Sequence, residues 1–131
     1  MNTDLESGMH LAGAVADHVD TCGCCEVVVY PPFLYLQAVE SVIDQTALCL
    51  GAQNIWHDAN GAYTGEISGE MLKDVGVSSV LVGHSERRHV VGETDALIAR
   101  KMKTSILDGL QTVLCIGETL EEREAGNTLL V

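Results

Sequence analysis

The stretch Ser79-Val80-Leu81-Val82-Gly83-His84-Ser85-Glu86-Arg87-Arg88-His89 decides the fold. Its first four residues form an apolar, β-branched run with no polar alternation, which predicts a strand over 79–82 that is buried on both faces. Gly83 ends that run, and a helical turn is expected to begin at once. A buried strand that hands directly to a helix is the unit from which α/β proteins are built. Outward from this point, the same unit recurs in both directions. Upstream, Glu26-Val27-Val28-Val29-Tyr30 reads as a strand halted by Pro31-Pro32, and 47–52 as a second apolar strand. Downstream, Thr112-Val113-Leu114-Cys115-Ile116 reads as a fourth.

Helical periods fill the intervals. Thr3-Asp4-Leu5-Glu6 has the form of a capping box, and Leu5, Met9, Ala12, Val15, Ala16 and Val19 then predict an amphipathic helix over 4–19. Leu36, Val39 and Ile43 place a second helix over 33–43. A short third one runs over 69–75 and stops at Gly76, a residue type suited to a left-handed cap. Leu97, Ile98, Met102 and Ile106 give 95–108 an apolar face, and 120–125 opens another helix. Strands separated by helices run parallel, through right-handed crossovers. The class is therefore α/β, and the pattern alone permits either a doubly wound sheet or part of a barrel. No linker or low-complexity tract divides residues 1–131, so a single domain is expected.

Composition narrows the partners. The chain holds 131 residues, 47% of them hydrophobic, enough to bury roughly two thirds of the unfolded surface. Seven Lys and Arg against 19 Asp and Glu give a net charge of -12, which repels nucleic acid and anionic lipid. Any anionic ligand must be caught by local donors. The N-terminus has no basic patch followed by an apolar stretch, and the apolar runs fall far short of the roughly 20 residues that span a bilayer. Five cysteines, an odd number without a framework spacing, fit a reducing cytoplasm. Cys22, Cys24 and Cys25 cluster, but no second Cys or His pair stands at zinc-module spacing, so no metal is expected.

In α/β folds, chemistry sits beyond the C-terminal ends of the strands, which directs attention to three loops. After the third strand comes His84, beside Ser85 and Glu86. An imidazole at a helix N-terminus faces partial positive charge, which favours its neutral, hydrogen-bond-donating form. The alternative is a capped turn whose Glu86, Arg87 and Arg88 make ordinary ion pairs. After the second strand, residues 53–68 form a connection longer than usual, a length that often serves function or reaches a partner. After the fourth strand, the acidic run from Glu118 to Glu124 suits a helix N-terminus.

Gly61-Ala62-Tyr63-Thr64-Gly65-Glu66-Ile67-Ser68, Val82-Gly83-His84-Ser85-Glu86-Arg87-Arg88 and Cys115-Ile116-Gly117-Glu118, in this order and spacing, closely resemble triosephosphate isomerase. The resemblance runs through essentially the whole chain. It implies a parallel-stranded half of a β/α barrel, about strands two to five, with no cofactor. A neutral histidine electrophile at a helix N-terminus is a known device of this family. By the resemblance, His84 polarises the triose carbonyl and shuttles protons between its oxygens, and Glu86 is the site's second carboxylate. Ser85 and Arg87 hold the loop. Thr64 resembles the tip residue that enters a neighbouring subunit's site in the family's dimer, Gln53 another member of that interface network, and Cys115 a buried supporting cysteine.

The resemblance also places several of the family's parts outside these residues: the Asn-x-Lys of the first strand, the proton-abstracting glutamate with its lid, and the amides that cradle phosphate. The expectation is a chain inactive by itself. Four parallel strands do not close a barrel that needs eight, so self-association through sheet edges and barrel face, or a complementary half-barrel chain, is expected.

Overall fold

A computed structural model describes residues 2–19 and 25–130. The chain alternates helix and strand as the periodicity requires. Helix α1 (Leu5–Val19) leads to β1 (Val27–Val29), and a 3-10 turn (Phe33–Tyr35) runs into α2 (Leu36–Ile43) and β2 (Leu48–Ala52). Then follow α3 (Gly69–Asp74), β3 (Ser79–Val82), α4 (Ser85–His89), α5 (Asp95–Leu107), β4 (Gln111–Leu114) and α6 (Leu120–Glu124). All three strand pairings are parallel, in the order β1-β2-β3-β4.

This sheet is rolled. Continuing the registers, Gln111 stands level with Ser79, Gly51 and Tyr30, four residues beyond Glu26 along the strands. In a flat sheet, three strand spacings and four residue rises would put Glu26 and Gln111 about 19 Å apart. Yet the Gln111 amide donates to the Glu26 carboxylate at 3.3 Å, across the concave face. The four strands thus form half of a barrel.

The two faces differ, and this corrects the expectation of two-sided burial. Leu48, Leu50, Ala52, Val80 and Val82 face the helices and pack with Ala12, Ala16, Leu36, Val39, Ile43, Leu72 and Ile98 in the core. On the concave face Val28, Cys49 and Leu81 are half-buried and Val113 is exposed. Tyr30 covers part of it, its hydroxyl meeting the Ser79 hydroxyl at 2.8 Å. It crosses Gly51 to do so; a Cβ there would lie 2.2 Å from the Tyr30 ring.

Three local expectations change. The capping box falls one residue later: the Asp4 carboxylate accepts from the Ser7 amide at 2.9 Å, and the Ser7 hydroxyl accepts from the Asp4 amide at 3.1 Å. Thr3 has φ 68 and Asp offers the stronger, charge-assisted acceptor. Leu5 of the predicted stripe is exposed; the buried residues of α1 are Ala12 and Ala16. In α5 the buried face carries Ile98, Lys101 and Ser105, whereas Ile106 is exposed. Cys22 and Cys24 lie outside the described residues. Among the described residues, no helix is long and apolar enough to cross a membrane.

Candidate functional site

Strand β3 ends at Val82, and Gly83, at φ 75, turns the chain so that His84 caps the following helix. The His84 Nδ1 accepts a hydrogen bond from the Glu86 backbone amide at 3.3 Å. An accepting Nδ1 carries no proton, so the ring's donor is Nε2–H. Helix α4 is only five residues long, so this local amide, and not a long macrodipole, orients the imidazole. The ring is half-exposed, at 45%. The Glu86 carboxylate stands 3.9 Å from His84 Nδ1 and is largely exposed, beyond hydrogen-bond reach of a nitrogen that is already accepting. Ser85, the first residue of α4, is exposed.

The two arginines after Glu86 frame this loop. Arg88 donates from Nε to the Gly83 carbonyl at 2.6 Å, from one terminal nitrogen to Asp95 at 2.6 Å, and from the other to the Cys115 carbonyl at 3.4 Å. The Cys115 amide in turn donates to the Val82 carbonyl at 2.9 Å. Cys115 therefore joins the site through its backbone, and its free thiol is half-buried, not buried as the resemblance implies. Arg87 turns inward to Glu93 at 2.7 Å.

Glu93 belongs to a buried network that the sequence reading misses. Lys101, 1% exposed, donates to the Glu93 carboxylate at 2.5 Å and to the Asn54 side-chain oxygen at 2.7 Å. Burial pushes the Glu93 carboxyl up, but the hydrogen bonds from Lys101 and Arg87 outweigh it and hold the group below the ordinary carboxylate range. Burial also pushes the Lys101 ammonium down, against the pull of Glu93. The network links α4, through α5, to the start of the long loop after β2. The available signal is Lys101 itself, a charge set between Ile98 and Met102 on an apolar stripe.

That loop carries the other two expected residues. Gln53, at its base, donates to the Tyr30 carbonyl at 2.8 Å. Thr64, at its tip, is exposed in a turn closed by the Glu66 amide on the Tyr63 carbonyl at 3.0 Å. Gly65 takes φ 92 there, the left-handed position that a type II turn reserves for glycine. The structure thus gathers His84, Glu86, Ser85, Arg87 and Cys115 at the mouth of β3 and β4. Among the described residues, no hydrogen bond joins Gln53 or Thr64 to His84. At the carboxyl ends of parallel strands, an Nε2–H donor on a half-exposed imidazole can polarise a ligand carbonyl.

Comparisons with known proteins converge. A sequence model of triosephosphate isomerase matches residues 1–131. The triosephosphate isomerase of Magnetococcus marinus is 48% identical over 132 aligned residues, covering 100% of this chain and 52% of that protein. That of Rhodopirellula baltica is 45% identical over 128 residues, covering 98% and 50% respectively. The crystal structure of triosephosphate isomerase from Bartonella henselae superposes with a TM-score of 0.88 at 38% identity, covering all of this chain and 54% of that one. The chain spans about half the length of these relatives. With the half-barrel, the strand-end histidine and a match from first residue to last all agreeing, the chain belongs to the triosephosphate isomerase family.

Proposed function

We propose that this chain supplies the carbonyl-polarising part of a triosephosphate isomerase site, the reaction that interconverts dihydroxyacetone phosphate and glyceraldehyde 3-phosphate in glycolysis and gluconeogenesis. One observation carries the reading: the Glu86 amide donates to His84 Nδ1, which leaves Nε2–H as the donor. In the proposed reaction His84 gives that hydrogen bond to the carbonyl oxygen and stabilises the charge that develops as a proton leaves the adjacent carbon. Glu86 is the site's second carboxylate. Arg88 and Cys115 position the histidine by tying its loop to the one after β4. The odd cysteine count supports a cytoplasmic setting.

The proton-abstracting base, the lid and the phosphate cradle belong, in this reading, to a complementary half-barrel. Net charge supports the division, because -12 attracts no phosphate without local donors. The chain by itself, purified free of host enzyme, is expected to interconvert the two triose phosphates no faster than background. An ordinary isomerase turnover by these residues alone would overturn the reading. A second reading, a non-catalytic half-barrel that self-associates, is favoured by the edge positions of β1 and β4 and by the half-exposed concave face.

A further inference from the structure

Three segments of the chain meet on one guanidinium. Arg88 donates from Nε to the Gly83 carbonyl at 2.6 Å, from one terminal nitrogen to the Asp95 carboxylate at 2.6 Å, and from the other to the Cys115 carbonyl at 3.4 Å. The approach to Gly83 is close: at its φ of 75, a Cβ would lie 2.8 Å from the Arg88 side chain. The Gly83 carbonyl belongs to the peptide that leads into His84, so holding it fixes the direction in which the His84 backbone leaves β3. Helix α4 has little stability of its own to supply this. It is five residues long, and its Arg87 and Arg88 amides both close on the His84 carbonyl, at 2.9 and 3.0 Å.

Asp95 holds the guanidinium from a firmer element. It is the first residue of α5, a 13-residue helix capped by Thr94 and anchored through the buried Ile98, Lys101 and Ser105. Among the described residues, it is the one carboxylate paired with Arg88. The other two acceptors of Arg88 are neutral carbonyls, so the charge-assisted bond to Asp95 sets the plane from which Nε reaches Gly83. The Asp95 side chain is 92% exposed and that of Arg88 26%. An ion pair so placed adds little to global stability. What it determines is orientation.

We propose that Asp95 is a positioning residue for His84: through Arg88 it fixes the Gly83 carbonyl, and with it the turn in which the Glu86 amide meets His84 Nδ1. The positioning stands on this geometry, and its consequence for turnover rests on the isomerase reading above.

The 131-residue chain tests the positioning without any partner. At a pH above the ordinary imidazole range, nitrogen NMR is expected to show one His84 tautomer, protonated on Nε2. In Asp95→Ala the two ring-nitrogen shifts should draw together as the other tautomer enters. The Glu86 and Arg88 amides should exchange about fivefold faster, while amides inside α5 and β3 keep their rates. Asp95→Glu, which keeps the carboxylate, should restore both readings. Because Asp95 acts through Arg88, Asp95→Ala should add nothing in an Arg88→Met background. Unchanged His84 nitrogens and amides in Asp95→Ala overturn the proposal, as does an equal loosening of α5 or an effect that persists without Arg88. Turnover then reads the link to catalysis. With a second chain carrying the remaining barrel strands, Asp95→Ala is expected to lower kcat about fivefold at an unchanged KM. A loosened His84 with kcat unchanged upholds the positioning and counts against the isomerase reading of His84.

Discussion

The most consequential side chains in this chain after His84 are ones with no motif. Glu93 and Lys101 are both buried, and each is the other's closest counter-charge. Removing Glu93 leaves Lys101 without its carboxylate in the interior, whereas removing Lys101 leaves Glu93 still paired with Arg87. Glu93→Ala is therefore expected to cost about 3–5 kcal/mol in urea unfolding, and Lys101→Ala less, because Arg87 stays on Glu93. Replacing both with apolar residues of similar volume should cost less than the two single changes together. Because the folded state holds Glu93 below its ordinary value of 4.5, its contribution is complete above that value and is lost as pH falls through the lower, folded one. Glu93→Gln should flatten this acid limb; an unchanged limb would contradict the assignment. The sequence shows His84, Ser85, Glu86 and Arg87 because they are contiguous at a strand end. It hides the Lys101 contacts, since Asn54 lies 47 residues away and Glu93 eight. Asn54 and Glu93 both lie outside helix α5, so its helical period does not connect them to Lys101.

Among the elements, the sequence reveals what repeats and obscures what depends on a neighbour. Every strand falls within two residues of its expected ends, because an apolar run between breakers is a local signal. The face of α5 is misread because hydropathy counts Ile106 as core and Lys101 as surface. Which side of α5 is covered depends on β3, β4 and the loop after β2, not on the helix. The concave face hides a similar dependence, since Gly51 in mid-strand looks only permissive by sequence. In the structure it is the floor beneath Tyr30. Gly51→Ala is expected to cost about 1–3 kcal/mol, as overpacking does. In a Tyr30→Ala background most of that penalty should vanish. An equal penalty in both backgrounds would show that the Tyr30 ring is not what excludes a side chain at Gly51.

At the largest scale, residues 1–131 form half of a closed architecture. Its convex side is finished: helices cover β2 and β3, and the core is continuous from Ala12 to Leu110. Among the described residues the concave side is half-exposed and β1 and β4 are the sheet edges, and the loops that carry His84 and Thr64 follow β3 and β2 at their carboxyl ends. A length of 131 residues suffices for a packed core, yet a barrel of this kind typically takes about 250. The central claim is that these residues hold the polarising half of an isomerase site. It is tested most directly by adding a second chain that carries the remaining barrel strands and assaying triose phosphate interconversion. The account predicts that turnover appears only with both chains present and falls about a hundredfold or more when this chain carries His84→Gln. Turnover that is the same with His84 or with Gln at that position would contradict it.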